Sequence, residues 1–197
     1  VGLNDLIIPA AGLSGTKVYR NTSTPGTISF DSAVTLAGPL VGYGYDPIYE
    51  NLTPDTKKDL ILIDSGGVSK LYANTSTPGG PISFTSTNVS ATNVVLTDID
   101  GSGRDDIVVS SGSDTIVYLN TSVANTSVTI GTGLSIGEGG KIVVDDFDGD
   151  TQSDLVIIPL TGSEYSGYVN TSTAGSASFV NSYQFTHTST FKFPDIS

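Results

Sequence analysis

Asp146-Phe147-Asp148-Gly149-Asp150-Thr151-Gln152-Ser153-Asp154 runs straight into the apolar stretch Leu155-Val156-Ile157-Ile158, and an earlier segment, Asp98-Ile99-Asp100-Gly101-Ser102-Gly103-Arg104-Asp105-Asp106, runs in the same way into Ile107-Val108-Val109. An acidic, glycine-bearing loop followed by a short β-branched run reads as a turn leading into a strand. Outward from these two copies the final aspartate and its apolar run recur as Asp5-Leu6-Ile7-Ile8 and Asp59-Leu60-Ile61-Leu62. Successive key aspartates stand about 47 to 54 residues apart, in the range that marks repeat architectures of small supersecondary units.

Each copy continues alike. A second strand ends in a shared turn, as Val18-Tyr19-Arg20-Asn21-Thr22-Ser23, Leu71-Tyr72-Ala73-Asn74-Thr75-Ser76, Val117-Tyr118-Leu119-Asn120-Thr121-Ser122 and Gly167-Tyr168-Val169-Asn170-Thr171-Ser172. A third strand is read at Ile28-Ser29-Phe30, Ile82-Ser83-Phe84, Val128-Thr129-Ile130 and Ala177-Ser178-Phe179, and a fourth apolar stretch, such as Val94-Val95-Leu96 or Ile142-Val143-Val144, leads to the next aspartate. The unit is therefore a four-stranded antiparallel meander, with helix content near nil. Short strands at constant period point to an all-β propeller of four four-stranded blades across a single domain, residues 1–197. A sandwich of the same strands has no reason to repeat its sequence.

The distance from Asp154 through the chain end and back to Asp5 is about one period, so the ends are in register. Thr190-Phe191-Lys192-Phe193-Pro194-Asp195 reads as the leading strand of a blade whose other strands open the chain. That strand can complete the first blade of its own ring or that of a neighbour, and a third alternative is a segment of a larger propeller.

Oxygen-bearing side chains stand at the first, third, fifth and ninth positions of the two acidic loops: Asp98, Asp100, Ser102 and Asp106, then Asp146, Asp148, Asp150 and Asp154. Calcium takes about six to eight oxygens at ~2.3–2.6 Å, and the backbone carbonyl at the seventh position, Arg104 or Gln152, would add one more. Two carboxylates ~5 Å apart repel by roughly 3 kcal/mol at an effective dielectric of ~20, so a cation is expected to hold such loops closed. Asn51, Thr53, Asp55 and Asp59 form a depleted version with Lys57 and Lys58 beside it, read as a weak site. The first repeat keeps Gly2 and Asp5, and Asp195 and Ser197 match the first and third loop positions at the other end.

These loops and the strands after them resemble the FG-GAP and VCBS repeats of integrin alpha subunits and bacterial exported proteins, over essentially the whole chain. The resemblance implies that each loop joins the first two strands of a blade and holds Ca2+ at the propeller rim. It also implies an extracellular module for adhesion, protein interaction or assembly. Two departures stand beside it: Phe-Gly-Gly-Ala-Pro segments are absent, and four repeats replace the usual seven.

Composition narrows the rest. Twenty acidic against 8 basic residues give a net charge of -12, which disfavours nucleic acid, whose binding relies on Lys and Arg. The apolar runs are far shorter than the ~20 residues of a membrane helix. There is no cysteine, and the chain opens at Val1 without a signal-type segment, so it is expected to be processed or excerpted from something longer, with any targeting signal removed. The only histidine, His187, has no motif around it, and no separate acid and base stand out, so no enzyme is expected. Asn21, Asn51, Asn74, Asn88, Asn120, Asn125 and Asn170 head Asn-x-Ser/Thr sequons, read first as turn formers. The longer first repeat carries Tyr43, Tyr45 and Tyr49, the candidates for contact with a protein or glycan ligand. A lectin or accessory module of an exported polysaccharide-active protein, and a filament subunit joined by terminal strand exchange, are the alternative readings.

Overall fold

A computed structural model describes residues 3–9, 15–38, 47–63, 68–161 and 164–186. Among them it is all-β, with four antiparallel sheets of three or four strands. The first sheet holds β1 (Leu6–Ile8), β2 (Thr16–Tyr19) and β3 (Val34–Leu36); the second holds β4 (Ile48–Glu50), β5 (Asp59–Ile63), β6 (Val68–Asn74) and β7 (Phe84–Ser90). The third holds β8 (Asn93–Thr97), β9 (Asp106–Ser111), β10 (Asp114–Tyr118) and β11 (Leu134–Ser135); the fourth holds β12 (Lys141–Asp145), β13 (Asp154–Ile158), β14 (Glu164–Asn170) and β15 (Phe179–Thr186). Only sequential strands pair, so each sheet is an up-and-down meander. No described helix is long and apolar enough to cross a membrane.

The repeat as cut at the key aspartate is offset by one strand from the folded unit. Val94 and Leu96 pair with Val109 and Ile107, so this stretch opens the third sheet instead of closing the second, and the acidic loop joins a sheet's first two strands. The third strands begin as read in the second and fourth repeats, where Phe84 opens β7 and Phe179 opens β15, and differ in the other two. Phe30 and Ile130 make only single bridges, to Asn21 and Asn120, and the ladders proper begin later, at β3 and β11. A tight hairpin precedes the ladder in all four repeats: the Ser23 hydroxyl accepts from the Ser29 amide at 3.0 Å, and Ser76, Ser122 and Ser172 do the same for Ser83, Thr129 and Ser178. These serine contacts hold the strand ends together where ladder bonds are interrupted.

The chain forms two compact units, 1–92 with 120–131 and 93–119 with 132–197. In the first unit Ile7, Val18, Val34 and Leu36 of the first sheet pack on Leu60, Leu62, Tyr72, Ile82 and Phe84 of the second repeat. In the second unit Val95, Val108, Val117 and Leu134 of the third sheet pack on Ile142, Leu155, Ile157, Tyr168 and Phe179 of the fourth. The same parity governs both cores. A leading sheet offers the side chains two residues past its key aspartate (Ile7, Val108); the following sheet offers those one and three past (Leu60 and Leu62, Leu155 and Ile157). Runs such as Leu60-Ile61-Leu62 and Ile107-Val108-Val109 are unbroken by polar residues because all six are buried to 1% or less, so neither face of the strand tolerates a charge. Thr190–Asp195, His187, Gly2, Tyr43, Tyr45, Asp195 and Ser197 lie outside the described residues.

Candidate metal centre

The ninth-position aspartate builds the loop before any metal is considered. Asp59, 1% exposed, accepts on one oxygen from the Leu52 and Thr53 amides, both at 2.8 Å, and on the other from the Asn74 amide at 2.7 Å. Asp154 repeats the pattern with the Phe147 amide at 2.9 Å and the Asn170 amide at 2.8 Å. Asp106, fully buried, takes the Ile99 amide at 2.9 Å and the Asp100 amide at 3.3 Å. Even Asp5, which has no such loop ahead of it among the described residues, accepts from the Asn21 amide at 2.9 Å. A charged acceptor satisfying several otherwise stranded amides is among the stronger hydrogen-bonding arrangements, and it recurs for that reason.

With that anchor set, the third loop folds its other carboxylates inward. Asp98 accepts from the Ser102 and Gly103 amides at 3.0 and 2.7 Å, and Asp100 accepts from the Ser102 amide at 2.9 Å and the Gly175 amide at 2.7 Å. Asp98, Asp100 and Asp106 each place an oxygen within 4.8 Å of the others. Oxygens on opposite sides of a calcium ion are about 5 Å apart, twice the ~2.3–2.6 Å bond, so the triad fits inside one coordination shell. A carboxylate oxygen that takes one N–H keeps lone-pair capacity for a cation. At the fifth position the Ser102 hydroxyl is buried beside the Asp100 carboxylate. Burial raises the Asp100 carboxyl, but the Gly175 amide, the Ser102 hydroxyl and amide and the Arg104 charge outweigh it and hold the group below the ordinary range, keeping it ionised.

The fourth loop has the same plan in the open. Asp146 accepts from the Gly149, Asp150 and Thr151 amides at 2.7, 3.1 and 2.9 Å, and Asp148 from the Asp150 amide at 3.1 Å. Asp146, Asp148 and Asp154 form a second set of oxygens within 4.8 Å. The fifth-position Asp150 is instead engaged by Gln152, through its amide at 2.8 Å and its side chain at 3.2 Å. Where the third loop has Gly103 at φ 82°, the fourth has Thr151 at φ 76°, a left-handed conformation that is strained for a β-branched residue.

The second loop places a lysine against its carboxylate. Lys57 sends its ammonium to 3.5 Å from Asp55, 3.2 Å from the Ser76 carbonyl and 2.7 Å from the Asn125 side-chain oxygen. Asn51 donates to the Asp55 carbonyl, and Thr53 gives its amide and hydroxyl to Asp59. Asn51, Thr53, Asp55 and Asp59 therefore form a loop centred on a lysine. Of the tyrosine candidates Tyr49 is described: it lies on β4, pairs with Leu60 and is 46% exposed, at the edge of a cleft in the first unit.

Sequence reasoning gave the turn asparagines no site role, and the structure gives them one. Asn170 is 1% exposed; its side-chain oxygen accepts from the Ser172 amide and its side-chain nitrogen donates to the Ile99 and Ser153 carbonyls. Asn120, 2% exposed, donates likewise to the Leu52 carbonyl at 2.9 Å. Each asparagine thus ties its own turn to the loop of the repeat before it, which buries these two sequons. The identical Asn-Thr-Ser triplets carried that signal. No family model and no curated protein matches the chain.

Proposed function

We propose that the chain is an extracellular calcium-binding propeller module of the FG-GAP/VCBS kind, its sheets acting as blades and its surface serving adhesion, protein contact or assembly without catalysis. The observation that carries this reading is the pair of equivalent loops, each with three carboxylate oxygens within 4.8 Å, in a chain that supplies them at matching positions of a repeat. The hard, all-oxygen donor set suits calcium over softer metals. In the third loop Asp98, Asp100, Asp106 and Ser102 would hold the ion, with the Arg104 carbonyl; in the fourth, Asp146, Asp148, Asp150 and Asp154, with the Gln152 carbonyl. Bound metal would neutralise the loops and fix the rim against which a protein or glycan partner rests.

Calorimetric titration of metal-stripped protein with calcium tests this. Two sites are expected, one lost in Asp98→Ala and the other in Asp148→Ala, and the melting temperature should rise in calcium and fall in chelator. Absence of both heat and thermal shift refutes the reading.

A further inference from the structure

Seven Asn-x-Ser/Thr sequons run through the chain, and a sugar is joined only to an asparagine whose side-chain nitrogen a transferring enzyme can reach. The fold separates the seven by what that nitrogen does. In Asn170 it donates to the Ile99 and Ser153 carbonyls at 2.8 and 3.0 Å, and in Asn120 to the Leu52 carbonyl at 2.9 Å, both residues being buried. In Asn21 it donates to the Asn4 carbonyl at 2.9 Å, in Asn74 to the Lys58 carbonyl at 3.3 Å, and in Asn51 to the Asp55 carbonyl. In three of these five the residue that completes the sequon is withdrawn as well, since Thr53, Ser122 and Ser172 are all buried.

Asn88 and Asn125 stand apart: both are exposed, and among the described residues neither side-chain nitrogen makes a hydrogen bond. Asn88 lies on β7, at the edge of the second sheet and opposite Lys70, with Val89 buried and Ser90 exposed. Asn125 sits at φ 60°, a left-handed conformation that asparagine tolerates, in a turn closed by the Thr126 amide on the Val123 carbonyl at 3.3 Å. Its side-chain oxygen accepts from the Lys57 ammonium at 2.7 Å.

We propose that Asn88 and Asn125 are acceptors for N-linked sugar and that the other five sequons are structural. In the transfer the asparagine nitrogen attacks the anomeric carbon of a sugar activated as a diphosphate ester. The C–N bond forms as the C–O bond to the diphosphate breaks, the diphosphate leaves with the electron pair, and one amide proton passes to a base of the transferring enzyme. A glycosylated amide keeps its carbonyl oxygen, so the Lys57 bond to Asn125 survives. A sugar on Asn120 or Asn170 would instead strand a buried backbone carbonyl of the loop each one fastens. The two acceptors stand on elements in direct contact, because Thr87, beside Asn88, donates to the Val128 carbonyl at 2.6 Å. Sugar at Asn88 would also screen the outer edge of β7, which pairs with no described strand and would otherwise offer a template to a foreign one. The supply of activated sugar rests on the extracellular reading above; which amides are open to it does not.

The test treats the purified, folded full chain with a nucleotide-activated hexose and a soluble N-glycosyltransferase, chosen to modify seven short peptides that each carry one of the sequons. Occupancy is read by mass spectrometry of proteolytic fragments, and circular dichroism confirms that the chain is folded before and after. Relative to its own peptide, the folded chain should react within about threefold at Asn88 and Asn125 and at least about 100-fold more slowly at Asn120 and Asn170, which need a local opening first. Asn88→Gln and Asn125→Gln should each remove one hexose and leave the other in place. Protection of Asn88 or Asn125 as strong as that of Asn120, or reaction of Asn120 or Asn170 at the peptide rate, overturns the assignment. A failed calcium titration would leave this result untouched, so the two readings fail separately.

Discussion

Replacing Asp59 by alanine should cost far more stability than replacing Asp5, although both open the same strand of the repeat. Asp59 is 1% exposed and serves the amides of Leu52, Thr53 and Asn74 as well as the Thr53 hydroxyl. Leu52 and Thr53 are each 1% exposed, so their amides lose an acceptor where water does not readily replace it. At about 1–3 kcal/mol for each stranded buried donor and less for the half-buried Asn74 amide, the loss is about 4 kcal/mol. For a chain of this size that is a drop in melting temperature of roughly 8–16 °C. Asp5 is exposed and accepts from the Asn21 amide at 2.9 Å, so Asp5→Ala should cost about 0.5–1.5 kcal/mol. Thermal melts followed by circular dichroism, in calcium and in chelator, decide the matter. Because the Lys57 ammonium faces Asp55 in this loop, the Asp59→Ala loss should be the same in both buffers. Equal losses at Asp5 and Asp59, or an Asp59 effect that vanishes in chelator, would refute the view that this carboxylate is a hydrogen-bond anchor.

Three further outcomes are expected. Lys57→Met leaves the Asp55 side chain, 9% exposed, without its cation and should cost about 2–3 kcal/mol in urea denaturation; a loss within ~0.5 kcal/mol, the range of ordinary surface changes, would show that the ammonium is dispensable. Thr151→Gly relieves the left-handed strain at φ 76° and should stabilise by about 0.5–1 kcal/mol after the entropy of the unfolded glycine is set against it, read as a higher urea midpoint. Burial raises the Tyr72 phenol above its ordinary value, so the stability it contributes is intact below about pH 10 and is lost as pH climbs through the folded value. Tyr72→Phe should flatten that alkaline decline in melts taken across the range, and an unchanged slope would exclude the phenol as its source.

Much of this was legible from residues alone, and the gaps have physical causes. The repeat of an aspartate before an apolar run located β5, β9 and β13, because burial on both faces forbids polar residues there and makes the run conspicuous. The third strands were met where Phe84 and Phe179 open β7 and β15, but in the first and third repeats Phe30 and Ile130 make single bridges and the ladders begin further on. β3, Val34–Leu36, went unread because a three-residue strand has almost no period. The acidic triads followed from loop spacing, since a cation shell sets where oxygens must stand. The double role of Asp106 and Asp154 did not, because ligand and anchor demand the same residue at the same place.

The fifth loop position shows how one loop design serves with or without a metal. In the second loop the Asp55 oxygen there is buried without a hydrogen bond. A buried oxygen left in that state is costly unless something positive faces it. For Asp55 the Lys57 ammonium, two residues on, lies 3.5 Å away; the chain supplies the charge from the seventh position and drops the carboxylates at the first and third to Asn51 and Thr53. The third loop keeps Asp98 and Asp100 at those positions, and its surplus of negative charge is compensated only in part by amides. Lysine at the seventh position together with neutral oxygens at the first and third is therefore the sequence mark of a loop that carries its own cation, and aspartates at the first and third, as in the third and fourth loops, mark one that would take its cation from solution.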